Sequence, residues 1–117
     1  MRKVIIETDV SRRLVALKEY LILVQGEKKG KNTIKEILDA IENLGIYEKI
    51  GDNIRERFHV ECPDNWYLLY VNKNYFVFSK TEQTINVLKM YDYRQDFIHD
   101  LFGVEMRSKE SKEYWGE

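Results

Sequence analysis

The chain has 117 residues, 44% of them apolar and 13% aromatic, and 19 basic residues against 20 acidic ones give a net charge of -1. That length suits one domain and excludes two, and the apolar content excludes global disorder. The charge balance excludes a surface that is basic throughout, so any contact with nucleic acid has to come from a local patch.

Cys62 is the sole cysteine, which rules out an internal disulfide and makes the cytoplasm the expected location. No stretch approaches the roughly 18 apolar residues of a membrane span. The run Met1-Arg2-Lys3-Val4-Ile5-Ile6-Glu7 is too brief in its apolar part for a signal peptide and reads as a first strand over Val4 to Glu7.

A helix is expected from Asp9 to Gln25. Thr8 and Asp9 are capping types, and Val10, Leu14, Leu17, Leu21 and Val24 recur in steps of four and three, so they share one face. Ala16, Tyr20 and Leu23 widen that stripe, which reads as the core face of the domain. Gly26 to Asn32, with two glycines and three lysines, reads as a solvated loop between antiparallel helices. Its spacing matches no nucleotide-binding loop. A second helix follows from Thr33 to Leu44, with Ile34, Ile37, Leu38, Ile41 and Leu44 on one face. Asn32 or Thr33 would cap it, and Gly45 is its end signal.

From Ile54 the pattern turns to alternation, and a strand is expected there, with a helix as the competing assignment. A strand would place Arg55, Arg57, His59 and Glu61 on one face and Ile54, Phe58 and Val60 on the other. Cys62-Pro63-Asp64-Asn65 is a turn signal. Strands follow at Trp66 to Val71, Tyr75 to Ser79 and Thr84 to Met90, joined by an Asn72-Lys73-Asn74 hairpin turn and by Lys80 to Gln83. The last strand is apolar at Ile85 and Val87, then at Leu88 and Met90, a phase shift that marks either a central strand covered on both faces or a bulge. Gln95 to Phe102 reads as a short helix ending at Gly103, and Val104 to Glu117 as a charged tail of the same single domain. The sum is an α+β fold: a helical hairpin packed on a small, mostly antiparallel sheet with a short C-terminal helix.

The order of elements from Val4 to Phe102 resembles the RelE/ParE superfamily of bacterial toxins. The sequence likeness is best at Val87-Leu88-Lys89-Met90-Tyr91-Asp92-Tyr93-Arg94-Gln95-Asp96, which is similar to the family's last strand, and at Trp66-Tyr67-Leu68-Leu69-Tyr70, similar to its aromatic strand. Arg94 and Asp96 would take the final basic and acidic places of that motif. Two departures stand out: Tyr67 occupies the place of a strand arginine used by many RNA-cleaving members, and Asp92 that of the histidine closing the last strand. The first removes a cation that would steady the charged phosphorane, the second a group titrating near neutral pH.

The resemblance implies the toxin of a type II toxin–antitoxin pair, neutralised by a cognate antitoxin. Exposed aromatics such as Tyr91, Tyr93, Tyr114 and Trp115 would be antitoxin contacts. One branch of the family arrests growth by cleaving mRNA on the ribosome without a metal, the leading expectation here from the basic face of Arg55, Arg57 and His59; the alternatives are the branch that binds DNA gyrase without catalysis and an inactive interaction module on the same fold. For RNA cleavage, His59 would be the base or acid, and Arg57 and Arg94 would hold the phosphate. Arg55, Tyr67, Tyr91 and Tyr93 would contact substrate, with Tyr91 or Tyr93 stacking on a base. Beside this stands a plainer reading, in which His59 is solvated, Arg55 and Arg57 pair with neighbouring carboxylates, and Tyr91 and Tyr93 serve the core or a partner. No cofactor is expected, and His59, Cys62 and His99 lack metal-ligand spacing.

Overall fold

In a computed structural model, which describes residues 1–95, the chain forms a two-layer α+β structure. Strand β1 (Lys3–Ile6) leads into helices α1 (Thr8–Gln25) and α2 (Glu27–Asn43). The two-residue strand β2 (Asp52–Asn53) and the short helix α3 (Ile54–Phe58) follow, then β3 (Trp66–Val71), β4 (Asn74–Lys80) and β5 (Thr84–Asp92). The sheet order is β1-β5-β4-β3-β2, with β1 parallel to β5 and every other pairing antiparallel. Of the helix expected at Gln95 to Phe102 all but Gln95 lies outside the described residues, as does the tail. No helix among the described residues is long and apolar enough to cross a membrane.

The expected loop at Gly26 to Asn32 shrinks to one residue. Gly26, at φ 90°, breaks the helix by itself, and α2 begins at Glu27. Glutamate and lysine are good helix formers, and the Lys31 Nζ to Glu27 carboxylate contact of 2.8 Å is an i,i+4 pair that a loop would not make. Gly30 is kept within this helix for space. A Cβ there would sit 2.7 Å from the Ile22 backbone nitrogen and 2.8 Å from its Cα, so α1 and α2 close against each other only without a side chain.

The main core lies between this hairpin and the sheet. Val10, Leu14, Ile34, Ile37 and Ile41 meet Phe76, Phe78, Ile85, Val87 and Met90. Phe76 and Phe78 are fully buried. The tight β3–β4 turn has positive φ at Asn72 (46°) and Lys73 (65°), the pairing that matches strand twist in a two-residue hairpin.

The phase shift read in the last strand is a bulge. Phe78 pairs with Val87 while Val77 pairs with Lys89, so Leu88 is the extra residue. Ile85 and Val87 before it and Met90 after it all face the hairpin, whereas Tyr91 faces the other side. That other face carries a smaller cluster of Ile54, Val60, Leu68, Val77 and Tyr91, covered by α3 and the segment after it.

The strand expected over Ile54 to Glu61 is therefore replaced by α3. Its cause is local: the Asn53 side chain accepts a bond from the Glu56 amide at 3.0 Å and caps the first turn. Ile54 and Phe58, four apart, then face the sheet together. His59 ends the helix in the left-handed region at φ 55°, its amide donating to the Arg55 carbonyl at 3.1 Å. Gly30→Ala tests the helix junction. Its helix propensity gain of about 1 kcal/mol is opposed by overpacking of about 1–3 kcal/mol against backbone atoms that cannot move aside. Urea denaturation is expected to show net destabilisation.

Candidate functional site

The structure divides the sequence-derived site residues between the two faces of the sheet. Arg55, Arg57 and His59 sit on or just after α3, all exposed, on the side of the smaller cluster. They share a short helix and its cap rather than a strand face. The Arg57 guanidinium is ion-paired to Asp52 and lies 5.3 Å from the Phe58 ring centroid. Both partners are more than half exposed, so the pair contributes little stability. Cys62 nearby is partly buried, and burial pushes its thiol pKa up, away from the thiolate needed for nucleophilic work.

Tyr67 belongs to the opposite face. Its ring stacks on Phe78 at 5.6 Å with planes 22° apart, and the Lys80 ammonium lies 4.5 Å from its centroid. Burial lowers the Lys80 pKa, and its Nζ donates to the Glu48 carbonyl at 2.6 Å. Lys80, seated over the Tyr67 ring, thus ties the loop before β2 to the sheet. Tyr91 is 7% exposed within the smaller cluster, too enclosed to stack on a base.

Tyr93 and Arg94 are brought together at the end of β5. The Tyr93 ring, 49% exposed, has Lys73 Nζ and Arg94 Cζ each 5.7 Å from its centroid. Its amide donates to the Lys73 carbonyl at 2.9 Å, tying the strand end to the hairpin turn. Arg94 is forked onto Asp92, with Nε to Oδ1 at 3.1 Å and a terminal nitrogen to Oδ2 at 3.2 Å. The Arg94 amide also donates to Asp92 Oδ1 at 2.9 Å. These bonds hold the Asp92 carboxyl below the usual carboxylate range and raise the Arg94 pKa. Asp92, which replaces the expected histidine, serves here as the anchor of Arg94.

Tyr93 and Arg94 line a cleft of about 270 Å³ with Tyr20, Leu21 and Val24 of α1 and Lys73 of the turn. Two of its neighbours were not marked by the sequence as site residues. Lys73 sat within a turn signal, and Arg13 lies outside the apolar stripe of α1. Arg13 donates to the Met90 carbonyl at 2.6 Å and to Gln95 Oε1 at 3.2 Å, while Gln95 Oε1 accepts from the Asp92 amide at 2.7 Å. Nothing in the local pattern links residue 13 to residue 90.

A base, an acid and a phosphate-holding cation have to converge within hydrogen-bond reach. Among the described residues, Arg57 and His59 are carried by the layer covering one face of the sheet, and Arg94 and Tyr93 line a cleft on the other. No group of three or more potential metal ligands occurs among the described residues. Asp96, Tyr114 and Trp115 lie outside the described residues.

The Asp92–Arg94 clamp has a titration signature. A depressed carboxylate adds stability above its unfolded pKa of about 3.9 and loses it as pH falls through the lower folded value. Arg94→Ala is expected to move the Asp92 midpoint, followed by carboxyl NMR, upward toward that ordinary value.

No family model matches the chain, and no curated protein matches it. Among solved structures, a chain of the chromosomal ParDE TA system from P. aeruginosa is similar, with a TM-score of 0.62 and 14% identity over 79% of this chain and 96% of that one. At that identity the likeness concerns the fold. A helical hairpin on a mostly antiparallel sheet, with β1 set parallel beside the last strand, is a RelE/ParE-like fold, and this chain has it.

Proposed function

We propose that the chain is the toxin of a type II toxin–antitoxin pair, held inactive by a cognate antitoxin, and that it acts by occupying its target rather than by cutting RNA. The first part is supported by a fold shared with nearly the whole of a ParDE chain and by the sequence motifs of the third and last strands. The second part is supported by one observation: the residues suited to ribonuclease chemistry are distributed over two layers of the molecule. Arg57 and Arg94 are each engaged by their own aspartate, Asp52 and Asp92. A target of the DNA gyrase kind, met by surface contact, fits this geometry better than mRNA on the ribosome.

Induction in bacteria tests both parts. Growth arrest is expected, with DNA synthesis falling before amino-acid incorporation. The Arg57→Ala, His59→Ala double variant is expected to remain toxic. If these side chains were the acid–base and phosphate groups of a nuclease, their loss would slow cleavage by about 100-fold or more and relieve the arrest. Primer extension on cellular messages reads the same question directly: new 5′ ends that vanish in the double variant would restore the RNA-cleaving reading. Absence of arrest in the parent would remove the toxin assignment.

A further inference from the structure

Among the described residues the sheet ends at β1, and the outer edge of that strand is open. The amides of Lys3 and Glu7 donate to the Gln83 and Val87 carbonyls beside β1, each at 3.0 Å. By alternation Ile5 also turns its backbone groups toward β5. The amides and carbonyls of Val4 and Ile6 point the other way, and among the described residues no backbone group pairs with them. The Arg2 amide, next along the same edge, donates to the Gly45 carbonyl at 2.8 Å and bounds the open stretch.

The side chains of this edge complement themselves. Val4 and Ile6 pack on the hairpin side, which leaves Lys3, Ile5 and Glu7 on the opposite face of the strand. Glu7 is still extended there, at φ -62° and ψ 151°. All three are exposed, Ile5 by 38%. Neither Lys3 nor Glu7 has an ion-pair partner among the described residues.

An antiparallel pairing of two copies about a two-fold axis at Ile5 sets Lys3 opposite Glu7 of the second copy and Ile5 opposite Ile5. Val4 then stands opposite Ile6, and their outward groups exchange both amide–carbonyl bonds. Lys3, Ile5 and Glu7 fall at the positions without those bonds, where facing side chains come closest. Other registers lack this match. A slide by two residues puts Ile5 opposite Lys3 or opposite Glu7, and a parallel pairing in register puts Lys3 against Lys3. Lysine on an edge ordinarily deters strand addition; here the two-fold register turns it into an attraction.

We infer that β1 is a self-association edge, through which two copies of this chain join antiparallel from Lys3 to Glu7 into one continuous sheet. The pairing uses the same edge on both copies, so it closes at a dimer. A ladder this short stands at the small end of specific interfaces, and a dissociation constant of about 100 µM is expected. The inference does not depend on the toxin reading.

Sedimentation equilibrium of the whole chain from about 10 µM to about 1 mM tests it. A monomer–dimer equilibrium is expected. Lys3→Glu and Glu7→Lys are each expected to weaken it by about tenfold or more, because every facing pair then carries like charges. These two variants shift the net charge in opposite directions, so a common loss is not an effect of net charge. Combining them exchanges the two charges and is expected to restore the dimer, which only the register centred on Ile5 allows. Circular dichroism checks that each variant is folded. If Glu7→Lys, which lies at the start of α1, unfolds the chain, Lys3→Gln and Lys3→Glu read the same contact from the strand: the loss is expected to be larger for glutamate and to shrink in raised salt. A dimer indifferent to these charges would place the interface elsewhere and overturn the inference. So would a folded double variant that stays monomeric. A parent chain that stays monomeric up to about 1 mM would leave the edge to a strand of another protein and likewise overturn it.

Discussion

The single extra residue at Leu88 governs how this protein is divided. A strand with unbroken alternation would carry the parity of Ile85 and Val87 on to Lys89 and Tyr91, placing a charge against the helical hairpin. The bulge resets that parity, so Met90 completes the hairpin-facing core and Tyr91 turns to the other side. Everything after it inherits the new phase, including the Asp92 that clamps Arg94 and the Tyr93 that meets the hairpin turn. Full burial of Ile85, Val87, Phe76 and Phe78 makes the arrangement costly to shift. Register is strongly specified where one face of a strand is fully enclosed.

The two faces of the sheet are unequal, and that inequality separates candidate functions. The hairpin encloses the larger core and leaves clefts between α1 and β5, while α3 and its following segment cover a smaller cluster with basic groups exposed. Residues that look adjacent in a list of basic and aromatic types therefore belong to different surfaces. Tyr67 and Tyr91 are structural on opposite faces, one stacked on Phe78 and one closing the cluster beneath α3. Among the described residues, exposed groups cluster in two places, on α3 at Arg55, Arg57 and His59 and at the end of β5 with its turn and the adjoining side of α1.

Much of the architecture was readable from the chain. The face of α1 at Val10 and Leu14, the strand Trp66 to Val71, the Asn72-Lys73 turn and the phase break near Leu88 all emerged as local patterns, because each is set by contacts within a few residues. The expected core stripe of α1 fails at its far end, where Tyr20, Leu23 and Val24 are exposed. The misreadings were also local in origin. Ile54 to Glu61 resembles a strand by alternation, but the Asn53 cap and the 54, 58 spacing carry it into a helix. The Gly26 to Asn32 segment looks like a loop by composition, yet one glycine turns the chain and the other lets the helices touch.

The sequence by itself determined most of the element types, the α+β class and the resemblance that leads to the toxin proposal, since periodicity and turn chemistry are short-range properties. Only the tertiary structure decided which charges stand together. Arg13 reaches Met90 across 77 positions of chain, and Arg2 reaches Thr81 across 79. Such pairings depend on how β1 and α1 lie against β5, which is fixed by burying shared apolar surface rather than by any pattern that neighbouring residues carry.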